Sequence, residues 1–288
     1  MAQSPSHRVG QIIGYALEQS VEPLLQGIAD EYGLYLDVIG ERPARGKKRL
    51  LTWVDDAENK HNLDFVLEKD GTPHRVGAPV AFIEVAWRRY TKHSVNKAGE
   101  IANALLPLRQ TFAHTRPFTG AVVAGEWTAG GLTHMLSQGI QVLFVPRETV
   151  VGAFAQFGID LSFDEGTPEA HLAAQADAWE ALDDGRRAEL IRTLANMAPE
   201  SYAKFRERIV THLTRRVTRV LVLPLFGSSL AFDTTEEAAE ALRHIDDVVP
   251  DPALLRVEIQ IRYSNDDRID ANFESAADAI DFLGSHPS

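Results

Sequence analysis

The segment PVAFIEVAWRRYTKHSVNKAGEIAN, from Pro79 to Asn103, decides how we interpret the fold. It begins with a short apolar run behind a proline, which is typical of a buried strand. Glu84 interrupts this run, and several basic residues follow it. Ser94 as an N-cap and apolar residues at helical spacing then predict a helix. Because a carboxylate at the end of a buried strand is costly when unpaired, we expect a metal ion, an arginine or a lysine beside Glu84.

A second carboxylate, Asp64, precedes this strand. Apolar and polar residues alternate over 62–68, which predicts a strand that contains Asp64, and Asp70-Gly71 predicts a turn. Two adjacent strands that each carry one carboxylate can present both to a common point. Two unrelated acids at a sheet edge are the alternative.

The composition is that of an ordinary globular protein, with 288 residues, 44% hydrophobic and 24% charged. The length favours one large domain or two modest ones. The chain has no apolar run of the ~20 residues that a membrane span needs. It has no cysteine and no apolar secretory segment, so we expect a cytoplasmic protein without a membrane partner. The net charge of −12 argues against nonspecific coating of DNA or lipid, but permits a local basic surface.

The first helix is predicted over 8–31, with a kink or a break at Pro23. Glu18 and Glu22 are four residues apart and therefore share one helical face. That face is either a solvated acidic surface, or one of the two carboxylates points into a metal site.

The segment after Asn103 alternates between helices and strands. A helix that ends near Phe112 is followed by a strand at 119–125, a helix at 128–137 and a strand at 140–146. This alternation predicts an α/β sheet with helices on both sides.

The order of these elements resembles that of the PD-(D/E)XK nuclease superfamily: an acid in one strand, a turn, a second strand carrying FIEV, a basic helix and two further strands. That superfamily includes many type II restriction endonucleases and DNA-repair nucleases. The resemblance covers roughly residues 8–150. It implies a metal-dependent DNA endonuclease with a restriction-endonuclease-like core, acting in restriction or phage defence. A homodimer is expected because cutting both strands of a duplex favours two-fold symmetry, and further defence-system subunits are possible partners.

The resemblance also implies roles for particular residues. Asp64, Glu84 and the backbone carbonyl of Val85 would hold Mg²⁺ or Mn²⁺, with Glu18 or Glu22 as an added ligand. The residues that we assign to catalysis are Asp64, Glu84, Lys97 and Glu100. The basic residues expected to contact DNA are Arg45, Lys47, Lys48, Arg88, Arg89, Lys92 and His93.

One departure from the family pattern leaves an alternative open. The family lysine belongs two residues after Glu84, where this chain has Ala86. Lys97, one turn into the next helix, is the candidate replacement, and Glu100 shares its face. Otherwise the chain is a catalytically inactive nuclease-fold protein, a DNA-binding or scaffolding subunit of a defence or repair complex. An RNA nuclease of the same fold is a third possibility.

The remainder of the chain is predicted to contain helices and then a small α+β domain. FDTTEEAAEAL at 232–242 and FESAADAIDFL at 273–283 share a pattern, and each follows a probable strand pair. We therefore expect two ββα units that form a small four-stranded sheet. The predicted division is a nuclease-like core at 1–165, a helical segment at 166–216 and the α+β domain at 217–288.

Overall fold

The structure is a computed structural model, which describes residues 4–46, 48–91, 94–164, 166–225, 228–244 and 256–288. It divides into two compact units. The first comprises Met1–Phe112 and Pro117–Val210, and the second comprises Ala113–Arg116 and Thr211–Ser288. Among the described residues, no helix is both long and apolar enough to cross a membrane.

The first unit contains most of the helices and strands. Its helices are α1 (Pro5–Tyr32), α2 (Ser94–Thr111), α3 (Ala129–Ser137), α4 (Arg147–Ala155), α5 (Glu169–Glu180), α6 (Asp184–Asn196) and α7 (Pro199–Leu213), whose last turn falls in the second unit. Its strands are β1 (Leu34–Val38), β2 (Leu51–Val54), β3 (Lys60–Leu63), β4 (Phe65–Lys69), β5 (Ala78–Arg88), β6 (Phe118–Gly125) and β7 (Gln141–Pro146).

A mixed five-stranded sheet forms the centre of this unit, in the order β1-β4-β5-β6-β7. β1, β4 and β5 are antiparallel, whereas β5, β6 and β7 are parallel and are connected through α2 and α3. The strands β2 and β3 form a separate hairpin. Helices α1, α2, α3 and α4 all pack on strands of the sheet. The predicted α/β sheet flanked by helices is therefore confirmed.

Helix α1 is a single helix, so of the two expectations at Pro23, a kink or a break, the break was wrong. Ser4 caps it by accepting from the His7 amide, and Gly33 ends it with φ of 64°. Proline removes one backbone hydrogen bond. However, Val21 and Leu25 are fully buried on either side of Pro23, and their packing keeps the helix continuous.

The prediction of one strand through Asp64 was also wrong. β3 ends at Leu63 and β4 begins at Phe65, so Asp64 stands at the bend between them. β3 pairs with β2 in the hairpin, whereas β4 pairs with β1 and β5 in the main sheet. The chain turns at Asp64 because its two halves join different sheets.

Helices α5 and α6 pack on α1, which places them in the first unit rather than in a separate segment. Arg8 of α1 donates to Asp177 at 2.9 Å and to Glu180 at 2.7 Å, both in α5. Tyr202 of α7 shares a 2.5 Å hydrogen bond with Ser20 of α1. The helices predicted at 166–216 thus exist, but the unit boundary in the structure follows Val210.

The second unit contains the two predicted ββα units. They are formed by β8 (Val217–Pro224), β9 (Leu230–Phe232), α8 (Thr235–Arg243), β10 (Val257–Tyr263), β11 (Arg268–Phe273) and α9 (Ala276–Gly284). The four strands form one antiparallel sheet in the order β11-β10-β8-β9. Thr234 and Ser275 cap the two helices in the same way, each accepting from the amide three residues later.

A buried cation fixes the loop between β1 and β2. The Arg42 guanidinium binds Asp37 at 2.6 Å and Glu68 at 2.8 Å, and all three side chains are at most 3% exposed. Arg42 also donates to the carbonyl oxygens of Thr72 at 2.8 Å and Arg75 at 2.7 Å. It therefore ties three segments of the chain together.

We expect Arg42→Ala to lower the free energy of unfolding by roughly 3–5 kcal/mol, because it removes the cation that binds buried Glu68 and weakens the pairing of buried Asp37, which keeps Arg45 at 3.1 Å. Urea unfolding measures this loss. Arg49→Ala, at an exposed position of the same loop, should change stability by less than about 0.5 kcal/mol. Equal midpoints for the two variants would contradict this role of Arg42.

Candidate functional site

The strand register brings Asp64 and Glu84 together. β4 and β5 are antiparallel with Phe65 opposite Ile83, so Asp64 and Glu84 follow as the next pair. The backbone N–H of Val85 donates to Asp64 Oδ2 at 2.6 Å. Both carboxyl groups are half-buried. The bend at Asp64 thus places its carboxylate beside the strand that carries Glu84.

The pKa values of three carboxyl groups are raised here. Burial, with the nearby charge of Asp64, raises the pKa of Glu84 to about 8. Burial also raises the pKa of Asp64, although the Val85 amide and Lys97 oppose the change. Burial, with the charges of Asp64 and Glu22, raises the pKa of Glu18 in α1 to about 7. Like charges crowded in a half-buried place each favour protonation of the others.

Lys97 supplies a positive charge to this site. Its charge opposes the rise in the pKa of both Asp64 and Glu84. Lys97 Nζ lies 3.0 Å from Glu100 Oε2, which in turn lies 3.7 Å from Arg88 Nη2. The Glu100 side chain is 60% exposed. Glu100 therefore lies at the rim, where it holds Lys97, rather than beside the two carboxylates.

The acidic side chains suit a hard divalent cation in part. Among the residues that the structure describes, no three His, Asp or Glu side chains converge closely enough to hold a metal ion. However, Glu84 Oε1 is buried and has no hydrogen-bond partner in the described part of the chain. Magnesium is commonly held by one or two carboxylates and keeps several waters. Asp64 and Glu84 fit that pattern, whereas Glu22 accepts a 2.8 Å bond from Gln19.

A cleft of about 600 Å³ adjoins the site. The first turns of α1 line one side with Ser4, Ser6 and His7, and the end of β5 lines the other. Sequence reasoning missed the contribution of α1 to this cleft. The sequence feature that could have indicated it is the pair Gly10 and Gly14. Both glycines line the cleft, and a Cβ added at either would meet no atom within 4 Å.

Two of the predicted DNA contacts, Arg88 and Arg89, line the cleft together with Lys97. Arg89 donates to Ser6 Oγ at 3.3 Å and to the carbonyl oxygen of Asp164, and its guanidinium stacks 4.4 Å from the Phe163 ring. The Nε atoms of Arg88 and Arg89 are both buried, and neither has a hydrogen-bond partner among the described residues. Both arginines thus place positive charge in the cleft.

The other predicted contacts have different surroundings. Arg45 donates to the carbonyl oxygens of Leu50 at 2.7 Å and Val38 at 2.8 Å, and its side chain is 10% exposed. It also binds Asp37 at 3.1 Å, so its donors are engaged within the protein and not offered to DNA. Lys48 is exposed. Lys47, Lys92 and His93 lie outside the described residues.

Ala86, at the position of the family lysine, contributes no polar side chain to the site. It is 6% exposed and packs in a core cluster with Phe82 and Ala98. The cation at the site is therefore supplied by α2, through Lys97, rather than by β5.

Comparison with known proteins gives no function for this arrangement. No protein-family model matches the chain, and no curated protein matches it significantly. The crystal structure of AF1548, a protein of unknown function, is similar with a TM-score of 0.31 and 14% sequence identity. The similarity covers 68% of this chain and 98% of that chain. At this TM-score it carries no argument about the site.

The raised pKa of Glu84 predicts how stability depends on pH. The folded chain keeps a proton on Glu84 up to about pH 8, whereas the unfolded chain loses it near 4.5. Stability contributed by this group therefore falls as pH rises between those values. In metal-free buffer, the free energy of unfolding of Glu84→Gln should therefore rise relative to that of the wild type as pH increases, by at most about 1.4 kcal/mol per pH unit.

Urea unfolding at several pH values between 5 and 8 measures this difference. Glu189→Gln, at an exposed position on α6, is the matched control and should differ from the wild type by a constant amount. A difference between Glu84→Gln and wild type that does not change with pH would show that Glu84 titrates normally.

Proposed function

We propose that the chain is a metal-dependent DNA endonuclease of the PD-(D/E)XK type. The observation that carries this proposal is the convergence of Asp64, Glu84 and Lys97 at one point of the first unit. Asp64 stands at the bend before β4, Glu84 lies on the adjacent antiparallel strand β5, and Lys97 lies on the following helix. Two acids and a lysine are what phosphodiester hydrolysis by such enzymes requires. The succession of β4, β5, α2, β6 and β7 along the chain also supports the proposal.

The chain's own residues divide the work. Asp64, Glu84 and the Val85 carbonyl would hold Mg²⁺ or Mn²⁺, with Glu18 nearby. The bound ion supplies charge neutralisation at the phosphoryl group and a more acidic water. Lys97 orients the attacking water and stabilises negative charge on the phosphoryl oxygens. Glu18, with a pKa of about 7, can exchange a proton at neutral pH.

The cleft is suited to a substrate strand. Arg88 and Arg89 would bind phosphates that flank the bond to be cut. The N-terminus of α1, with no acidic residue in its first turn, places the positive end of the helix dipole on the opposite wall. Gly10 and Gly14 leave the helix surface bare, so a sugar or phosphate can approach the backbone closely.

A second function is favoured by Ala86. Because β5 lacks the family lysine, the second candidate function is that of a DNA-binding or scaffolding subunit without catalysis. In both cases we propose that the protein acts on DNA in restriction, phage defence or repair, as a homodimer or with other subunits, in the cytoplasm.

We expect cleavage of plasmid DNA in the presence of Mg²⁺ or Mn²⁺. Asp64→Asn, Glu84→Gln and Lys97→Ala should each reduce the rate by at least about 100-fold, because each removes a charge required in the transition state. Glu100→Gln should have a smaller effect, since Glu100 only positions Lys97. Glu189→Gln is the charge-matched control and should cut at the wild-type rate.

Two outcomes would change the proposal. Cleavage that survives Glu84→Gln would show that the site lies elsewhere. No cleavage by any variant, combined with salt-sensitive DNA binding, would favour the non-catalytic subunit.

The glycines of α1 give a prediction with an internal control. A glycine inside a helix costs roughly 0.5–1 kcal/mol relative to alanine. Gly14→Ala and Gly27→Ala meet no neighbour within 4 Å, so both should stabilise the fold by about that amount. Gly14 lines the cleft, whereas Gly27 lies farther along the helix. Only Gly14→Ala should therefore slow cleavage, by roughly 10-fold or more, because the displaced strand loses its alignment.

Thermal unfolding and cleavage rates are measured on the same preparations. If Gly14→Ala and Gly27→Ala cut DNA equally well, the substrate does not lie against α1.

A further inference from the structure

A row of arginines crosses the sheet of the second unit. In the antiparallel register, Arg262 of β10 stands opposite Arg268 of β11 on one side and opposite Arg219 of β8 on the other. All three residues are exposed. Neighbouring strands lie about 4.8 Å apart, so the row spans roughly 10 Å. We call these three residues the arginine row.

The arginine row lies on the open face of this sheet. Helices α8 and α9 pack on the other face, against buried residues that include Val220, Ile259 and Ile261. Each arginine is adjacent in sequence to a residue of that buried set, and side chains alternate along a strand. In the described part of the second unit, no helix covers the face that carries the arginines.

The arginine row is unfavourable by itself. Like charges directly opposite each other on adjacent strands are destabilising, and Arg262 takes part in two such pairs. Asp270 binds Arg268, with 2.7 Å between Oδ1 and Nε. Among the residues that the structure describes, however, neither Arg219 nor Arg262 has an acidic partner. The chain has 41 acidic and 29 basic residues, so an acidic neighbour would be the common solution.

We propose that the arginine row binds the phosphate backbone of DNA. Arginine forms paired hydrogen bonds with phosphate, and regularly spaced cations match a polymer with regularly spaced negative charges. Phosphate contacts position a protein without reading sequence, so the row is a general DNA contact, distinct from the cleft of the first unit. The proposal rests on DNA as the substrate, but it requires no cleavage.

The test compares the wild type with the full-length variant R219Q/R262Q/R268Q. Binding to a fluorescent DNA duplex is measured by anisotropy over a series of KCl concentrations, with EDTA present to prevent cleavage. Each lost phosphate contact reduces the slope of log K against log salt by about 0.9, so the slope should become shallower by about 2–3. Affinity at ~0.1 M salt should fall by about 10-fold or more.

The matched control is R186Q/R192Q/R243Q, which removes the same charge at three exposed positions elsewhere. It should bind DNA nearly as the wild type does. The thermal midpoint of the arginine-row variant should be unchanged or raised, because unfavourable pairs have been removed. A lowered midpoint in the arginine-row variant would contradict the argument about like charges.

Several results would overturn the proposal. One is unchanged affinity and salt slope in the arginine-row variant, and another is an equal loss in the control, which would reflect net charge alone. Binding to polyglutamate is measured in parallel. If the arginine-row variant loses binding to polyglutamate but not to DNA, the row binds an acidic protein. Normal cleavage with unchanged binding defeats only this proposal. If the wild type binds DNA without cutting it and the arginine-row variant loses the salt-dependent binding, only the nuclease proposal is defeated.

Discussion

The first unit depends on one electrostatic constraint, the placement of two carboxyl groups side by side in a half-buried position. Burial raises the pKa of Asp64, and burial together with the charge of Asp64 raises the pKa of Glu84 and of Glu18. Such a group of acids is stable when it is protonated, or when cations are near. Lys97 supplies one positive charge, and the unpartnered Glu84 Oε1 leaves room for a second.

The sheet and its connections bring Asp64 and Lys97 to the strand that carries Glu84. The bend at Asp64 lets one chain segment serve both the hairpin and the main sheet, and it directs the carboxylate toward the Val85 amide. The crossover from β5 to β6 passes through α2, which returns Lys97 to the end of the strand that carries Glu84. Arg42 likewise neutralises the acids Asp37 and Glu68. Because that cation is buried inside the protein, we regard the cluster as structural.

Much of this arrangement could be predicted from sequence, where local patterns determine the outcome. Alternation and turn signals located β4, β5 and both ββα units, and helical phase selected Lys97. The bend at Asp64 could not be predicted, because alternation continues through it while its two halves pair with different strands. The role of Arg45 was also hidden, since it binds Asp37 and backbone carbonyls of a loop that has no sequence pattern. The contribution of α1 to the cleft depends on tertiary packing, and only Gly10 and Gly14 pointed to it.

The most direct measurement of the central claim is a crystal structure of the protein grown with Mn²⁺, with data collected for anomalous scattering. The account predicts an anomalous peak about 2.0–2.2 Å from carboxylate oxygens of both Asp64 and Glu84. A structure with Lys97 in place, saturating Mn²⁺ and no peak between these carboxylates would contradict it. In that case the two acids would be a protonated pair held by Lys97, and the metal-dependent chemistry would be lost with them.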